Sequence, residues 1–185
     1  RSAYVMSSLV APLMVKNKSG LMLQVSSFGG VKYVFDVGYG VGKAGLDRLT
    51  TDMAAELKPY NVHAVTLYPG AGVTEVTAFP GGETPVFTGR AVAALLNKAT
   101  NEDHVRMSGK VIQTAELAVD YGFTDVNGGM PKGDFSGVEA AKLQREIMSK
   151  PLIQYDMDAE LPDSSETNNS GIAGLFAGAQ NYIEK

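Results

Sequence analysis

The stretch Leu21-Met22-Leu23-Gln24-Val25-Ser26-Ser27-Phe28-Gly29-Gly30 decides the architecture. A short, nearly continuous apolar run is what a parallel strand covered on both faces looks like, and the serine and glycine pairs after it end the run. Upstream, Val5, Met6, Leu9, Val10, Leu13 and Met14 recur at three- and four-residue steps. That spacing predicts a helix over residues 2–16 with this set as its buried face, stopped at Gly20. Downstream, Val41, Leu46, Leu49, Met53 and Leu57 form the stripe of a helix expected over residues 39–58. A second strand is expected over residues 62–68, closed by Pro69-Gly70, and then a loop rich in Gly, Pro and Thr runs to about Thr84. Further helices are expected over residues 87–98, 115–121 and 138–149, with a third strand over 110–114. Helices alternating with strands imply right-handed crossovers in a parallel sheet, an α/β fold.

Composition narrows the function classes. With 185 residues, 44% of them hydrophobic and 19% charged, the chain has apolar material for one α/β core. It contains no cysteine, which excludes disulfides, thiolate metal sites and cysteine nucleophiles. A net charge of -4 with scattered Lys and Arg supplies no basic patch for phosphates, so nucleic-acid binding is not indicated. The apolar stretch from Leu9 to Val15 is far short of the ~20 residues a bilayer crossing needs, and no signal-peptide pattern is present. The chain opens at Arg1 and enters a helical pattern at once, so an incomplete chain is the expectation. Asp156, Asp158, Glu160, Asp163 and Glu166 crowd together beside Ser and Asn. The expected division is therefore a domain over residues 1–150 and an acidic, flexible extension over 151–185, whose apolar segment 171–177 could dock on this protein, a second subunit or a membrane surface, with local packing preferred.

Tyr39 and Lys43 stand four apart in a helical pattern, which puts both side chains on one face. A phenol is a poor acid or base at neutral pH, but an ammonium beside it favours the phenolate and makes proton exchange with a carbonyl or alcohol oxygen feasible. The pair alone is a weak signal, and its context comes from two strand ends. In open parallel sheets ligands settle outside the carboxyl ends of the strands, where Ser26-Ser27-Phe28-Gly29-Gly30 and Pro69-Gly70 both fall. A serine hydroxyl there can bond a substrate oxygen as charge develops on it, and glycines let the backbone pass close to a flat ligand.

Three segments in this order, Val25 to Gly30, Tyr39-Gly40-Val41-Gly42-Lys43-Ala44 and Pro69-Gly70-Ala71-Gly72-Val73-Thr74, resemble the S-x-x-G, Y-x-x-x-K and P-G-x-x-x-T signatures of the short-chain dehydrogenase/reductase family. The Tyr-Gly-Val-Gly-Lys version, with Ser108-Gly109-Lys110-Val111 and the run Tyr121 to Gly128, is similar to one subgroup of that family. The resemblance covers about residues 4–128. It implies the C-terminal part of a doubly wound Rossmann-like parallel sheet with flanking helices, and an NAD(P)-dependent oxidoreductase of the carbonyl reductase or alcohol dehydrogenase type. By it, Tyr39 is the proton donor to a substrate carbonyl, Lys43 assists it and bonds the nicotinamide ribose, and Ser27 orients the carbonyl. Ser26 meets the same motif rule through Gly29; Ser27, with Gly30 three places on, is preferred as the second of the pair. Pro69, Gly70 and Thr74 are the expected contacts of the nicotinamide, and residues 75–85 the substrate lid. The cofactor is NADP or NAD, with NADP preferred, and the substrate a small carbonyl or secondary alcohol.

The family's T-G-x-x-x-G-x-G turn, its N-N-A-G stretch and its helix asparagine do not precede these motifs. The expectation is that this chain holds the nicotinamide end of a dinucleotide alone. The alternative is a non-catalytic interaction protein derived from a truncated member of the fold. His63, expected mid-strand, and His104, expected in a loop, are read as structural, with no metal site. A homodimer or tetramer through the helices near Ser2 and Tyr39 follows from the resemblance; the absence of cysteine and the short apolar run lead to the expectation of a location in the cytoplasm or peripherally on an intracellular membrane.

Overall fold

The computed structural model describes residues 1–76, 79, 81–131 and 146. Its centre is strand β2, Val62–Tyr68, every residue of which is buried. Strand β1, Gly20–Val25, pairs parallel to it from Gly20↔Val62 to Val25↔Leu67. Strand β3, Val111–Gln113, pairs parallel on the other side from Thr66↔Val111 to Tyr68↔Gln113. The sheet order is β1-β2-β3, so β2 carries apolar residues on both faces, as a covered parallel strand must.

Among the described residues, the faces are covered by α1 (Ser2–Asn17), α2 (Val37–Leu57), α3 (Pro85–Asn97), α4 (Asn101–Met107) and α5 (Thr114–Tyr121). Side-chain alternation along the strands divides the core between them. Leu21, Leu23, Val65, Leu67 and Ile112 pack with Ala91 and Leu95 of α3, Met107 of α4 and Leu117 of α5. Met22, Val62 and Ala64 pack with Ala54 and Leu57 of α2 and, at its margin, Ala11, Met14 and Val15 of α1. Helix α2 connects β1 to β2, and α3 with α4 connects β2 to β3, which brings the carboxyl ends of β1 and β2 and the start of α2 to one edge.

The structure corrects several expectations. Helix α1 meets the sheet through Ser7, Ala11, Met14 and Val15, while Leu9 and Leu13 of the expected buried face are 65% and 62% exposed. The two faces adjoin on the helix; the one with small residues docks closely, and Gln24 Nε2 donates to Ser7 Oγ at 3.1 Å across that contact. On α2 the inward residues are Asp47, Thr50, Ala54 and Leu57, and Val41 is exposed. His104 belongs to α4, not to a loop, and its Nε2 pairs with the Leu95 carbonyl oxygen at 2.8 Å. The signal for α4 was Thr100-x-x-Asp103, a capping box in which Asp103 N–H donates to Thr100 Oγ1 at 3.2 Å and Thr100 N–H to Asp103 Oδ2 at 3.0 Å. The helix expected over 138–149, the boundary at 150 and the acidic extension lie outside the described residues. Among the described residues no helix is long and apolar enough to cross a membrane, and no group of ligating side chains could hold a metal ion.

Candidate active site

Where β1 ends, the chain turns through a single 3-10 turn at Phe28–Gly30, and the two serines separate. Ser26 is buried and its hydroxyl donates to the Lys43 carbonyl at 3.3 Å. Ser27 caps the turn, its Oγ accepting from Gly29 N–H at 3.2 Å. The backbone between Ser27 and Val31 passes so close to α2 that Gly29 and Gly30 have no room for a side chain. A Cβ on Gly29 would stand 2.4 Å from the Tyr39 ring, and one on Gly30 would stand 2.9 Å from the Ala44 nitrogen.

Helix α2 begins two residues before Tyr39, because Asp36 supplies the N-cap: its Oδ1 accepts from Tyr39 N–H at 2.8 Å. This fixes Tyr39 in the first turn. Its hydroxyl lies 2.7 Å from Ser27 Oγ, with either atom able to donate. One turn on, Lys43 Nζ stands 5.5 Å from the centre of the Tyr39 ring. Phe35 meets Tyr39 edge-on, ring centres 5.0 Å apart at 87°. Phe35 sits at φ 62, a left-handed conformation costly for a bulky side chain. The Tyr33 hydroxyl donating to its carbonyl at 3.2 Å helps hold it there.

Pro69 and Gly70 follow β2 at the same edge, tied to the β1 end by Ser26 N–H donating to the Leu67 carbonyl at 2.9 Å. Gly70 N–H is committed to Glu83 Oε2 at 2.9 Å. Thr74 lies in the loop beyond, its Oγ1 accepting from Val76 N–H at 3.2 Å. Ser27, Tyr39 and Lys43 are therefore brought together, Pro69 and Gly70 stand on the adjacent strand end, and Thr74 is carried on an exposed loop. Of the expected lid, residues 77, 78 and 80 lie outside the described residues.

Sequence reasoning missed the residues that anchor this edge. Glu83, 3% exposed, accepts from Gly70 N–H, from Thr88 Oγ1 at 2.7 Å and from Thr114 Oγ1 at 2.6 Å. Its backbone pairs with Ala71 and Val73 at 2.8 Å each, which closes the base of the loop. Asp125 accepts from Thr84 N–H at 2.9 Å and Thr84 Oγ1 at 2.5 Å. Burial pushes the Asp125 carboxyl up, but the Thr84 and Val126 hydrogen bonds and the Arg90 charge outweigh it and hold the group below the ordinary range. Asp47 is buried on α2 with the Tyr68 hydroxyl donating to its Oδ2. Nothing in linear spacing marks these acids, whose partners other than Thr88 and Val126 lie 13 to 41 residues away.

Residues 1–80 match the family model described as short chain dehydrogenase. The mouse protein Dehydrogenase/reductase SDR family member 1 is 37% identical, over 74% of this chain and 49% of that protein. The chain spans about half the length of the curated relatives it matches. Among solved structures, a 3-oxoacyl-[acyl-carrier protein] reductase with bound NAD from Brucella melitensis superposes with a TM-score of 0.53 at 22% identity, over 62% of this chain and 46% of that one. A 7 alpha-hydroxysteroid dehydrogenase complexed with NADH and 7-oxo glycochenodeoxycholic acid gives 0.52 at 21% identity, over 72% and 53%. At these identities the structural likeness shows the fold, a Rossmann-type parallel sheet with flanking helices.

Proposed function

The chain belongs to the short-chain dehydrogenase/reductase superfamily, and from that premise we propose that it carries the proton-transfer half of an NAD(P)-dependent oxidoreductase acting on a small carbonyl or the matching secondary alcohol. The observation that carries this reading is the 2.7 Å contact between Ser27 Oγ and Tyr39 OH, with Lys43 one helical turn beyond Tyr39. A carbonyl oxygen seated between the two hydroxyls accepts a hydrogen bond from Ser27, which orients it and stabilises developing negative charge. Tyr39 gives its hydroxyl proton to that oxygen as the carbonyl carbon is reduced, and takes it back in the alcohol-oxidising direction. The Lys43 ammonium favours the phenolate left behind.

The donor set, a phenol and an ammonium beside a strand end with backbone exposed at Pro69 and Gly70, fits the nicotinamide end of a dinucleotide. Tyr39 and Lys43 would hold its ribose, and Pro69, Gly70 and Thr74 its carboxamide end; NADP is preferred over NAD. When bound, the dinucleotide supplies the hydride. A homodimer or tetramer through α1 and α2 belongs to the same reading, and what supports it is the exposed row Met6, Leu9 and Leu13 on one face of α1.

Tyr39→Phe in the full-length protein tests the assignment. Turnover of a panel of aldehydes and ketones with NADPH and NADH is expected to fall by about 10²- to 10⁴-fold, the usual worth of a positioned general acid. Dinucleotide affinity, read by fluorescence, should change little. Turnover that survives the substitution would sink the role given to Tyr39.

A further inference from the structure

Behind Tyr39 and Lys43 lies a carboxylate that takes no part in the proton transfer described above. Asp47 stands one turn after Lys43 on α2 and is 3% exposed. Its Oδ2 accepts from the Tyr68 hydroxyl, on the last residue of β2, at 2.5 Å, while Oδ1 is buried with no hydrogen-bond partner. A carboxylate so buried is costly, which asks for a role beyond filling space. Other contacts converge on the same turn. The Ser26 hydroxyl at the end of β1 donates to the Lys43 carbonyl. Gly30 approaches until an added Cβ would stand 2.7 Å from Asp47 Oδ2 and 3.0 Å from the Lys43 carbonyl carbon. Burial pushes the Asp47 carboxyl upward, against opposing pulls from Tyr68, Ser26 and Lys43. Burial, and then Asp47, push the Tyr68 phenol far above its ordinary range, with Tyr39 adding to the effect. Tyr68 therefore stays protonated and donating across the working pH range.

We propose that Asp47 is a positioning residue: clamped by the Tyr68 hydroxyl, it fixes the Lys43–Asp47 turn of α2 against the ends of β1 and β2 and so sets where Lys43 stands beside Tyr39. The proposal rests on the reading of Tyr39 and Lys43 as the proton-transfer pair. A helix turn held at one point can tilt, and a misplacement of about 1 Å costs on the order of 10²-fold in rate. A hydrogen bond between α2 and β2, directly beneath the turn that carries Lys43, removes that freedom.

The test uses the full-length protein with Asp47→Ala, Asp47→Asn, Tyr68→Phe and the Asp47→Ala/Tyr68→Phe double variant. Asp47→Ala and Tyr68→Phe should each lower kcat roughly 10- to 100-fold, with a smaller rise in dinucleotide Kd because Lys43 would also hold the ribose. The double variant should be no worse than the worse single one, because the two groups act through one bond. Asp47→Asn, which keeps an acceptor for Tyr68, should recover most of kcat. Backbone amide exchange over residues 43–47 should quicken in the two disruptive variants and not in Asp47→Asn. Tyr68→Phe keeps the buried ring, so the result stands even where Asp47→Ala does not fold. Unchanged kcat in folded Tyr68→Phe, losses that multiply in the double variant, or an Asn variant no better than Ala each overturn the proposal. Tyr39→Phe is read first: if it retains turnover, or the parent has none, the reading of the pair fails and takes this proposal with it, a failure distinct from an active parent indifferent to Tyr68→Phe.

Discussion

Ser26 and Ser27 are adjacent in the chain, but alternation at a strand end sends their side chains to opposite sides of the backbone. Ser27 faces Tyr39 and Ser26 turns inward to the Lys43 carbonyl. Their substitutions should separate cleanly. Ser27→Ala removes the group proposed to meet developing charge and should lower kcat/KM by about 10²-fold with little change in Tm. Ser26→Ala leaves the Ser27–Tyr39 contact intact and should cost about 1 kcal/mol of stability, the net worth of one hydrogen bond, with activity retained. Steady-state kinetics beside thermal unfolding of the two variants checks both halves. A rate loss confined to Ser26→Ala would reverse the assignment of the pair.

At the scale of elements, the loop after β2 is anchored by Glu83 to three donors from three places: Gly70, Thr88 of α3 and Thr114 at the start of α5. Glu83→Ala strips an acceptor from all three at once; Thr114 is buried and stays unsatisfied, while exposed Gly70 and half-buried Thr88 can turn to water, so a loss of roughly 1–3 kcal/mol is expected. Chemical denaturation measures it, and a loss under about 1 kcal/mol would show that water or rearrangement satisfies those donors. Helix α4 makes a pH prediction. The Thr100 backbone bond foremost, and then Arg106, hold the Asp103 carboxyl down to about 2. A depressed folded value means the contribution is present above the unfolded value, near 4, and is lost as pH falls through about 2. Acid unfolding of the parent and Asp103→Asn should therefore converge between about pH 4 and 2, whereas a gap between them that stays constant down to pH 2 would deny the capping carboxylate that role.

For the whole molecule, the decisive feature is that β2 is paired on both sides while, among the described residues, β1 and β3 are each paired on one. β1 is a six-residue, mostly apolar strand whose outer edge has no strand partner among the described residues, a template for pairing with another chain. This chain expressed by itself should self-associate at concentrations of tens of micromolar or above, about where exposed edges begin to pair. Val25→Lys, at a position 48% exposed, should suppress that association by putting a charge on the edge. Light scattering against concentration distinguishes the two chains, and equal scattering would place the sticky surface elsewhere, the exposed row on α1 being the next to test.

Several features were legible in the sequence because they are local. Periodicity located β1, β2, α2 and α3 to within a few residues, since side-chain direction repeats with backbone geometry. Tyr39, Lys43 and the serine pair could be named because four residues along a helix and one strand end fix proximity over short distances, and family signatures reported their order. Chain spacing does not say which face of an amphipathic helix finds a partner: α1 docks by Ser7, Ala11, Met14 and Val15, and only the packed sheet shows that Leu9 and Leu13 are left outside. Nor does it reveal a buried acid. Asp47, Glu83 and Asp125 look like ordinary surface residues in the sequence, and they become anchors because the fold brings donors from distant segments to them and removes the water that would otherwise serve them. The sequence by itself determined the class of fold and named the residues proposed to carry its chemistry. Tertiary structure alone decided how tightly that chemistry is held, because burial and long-range hydrogen bonds exist only once the strands are side by side.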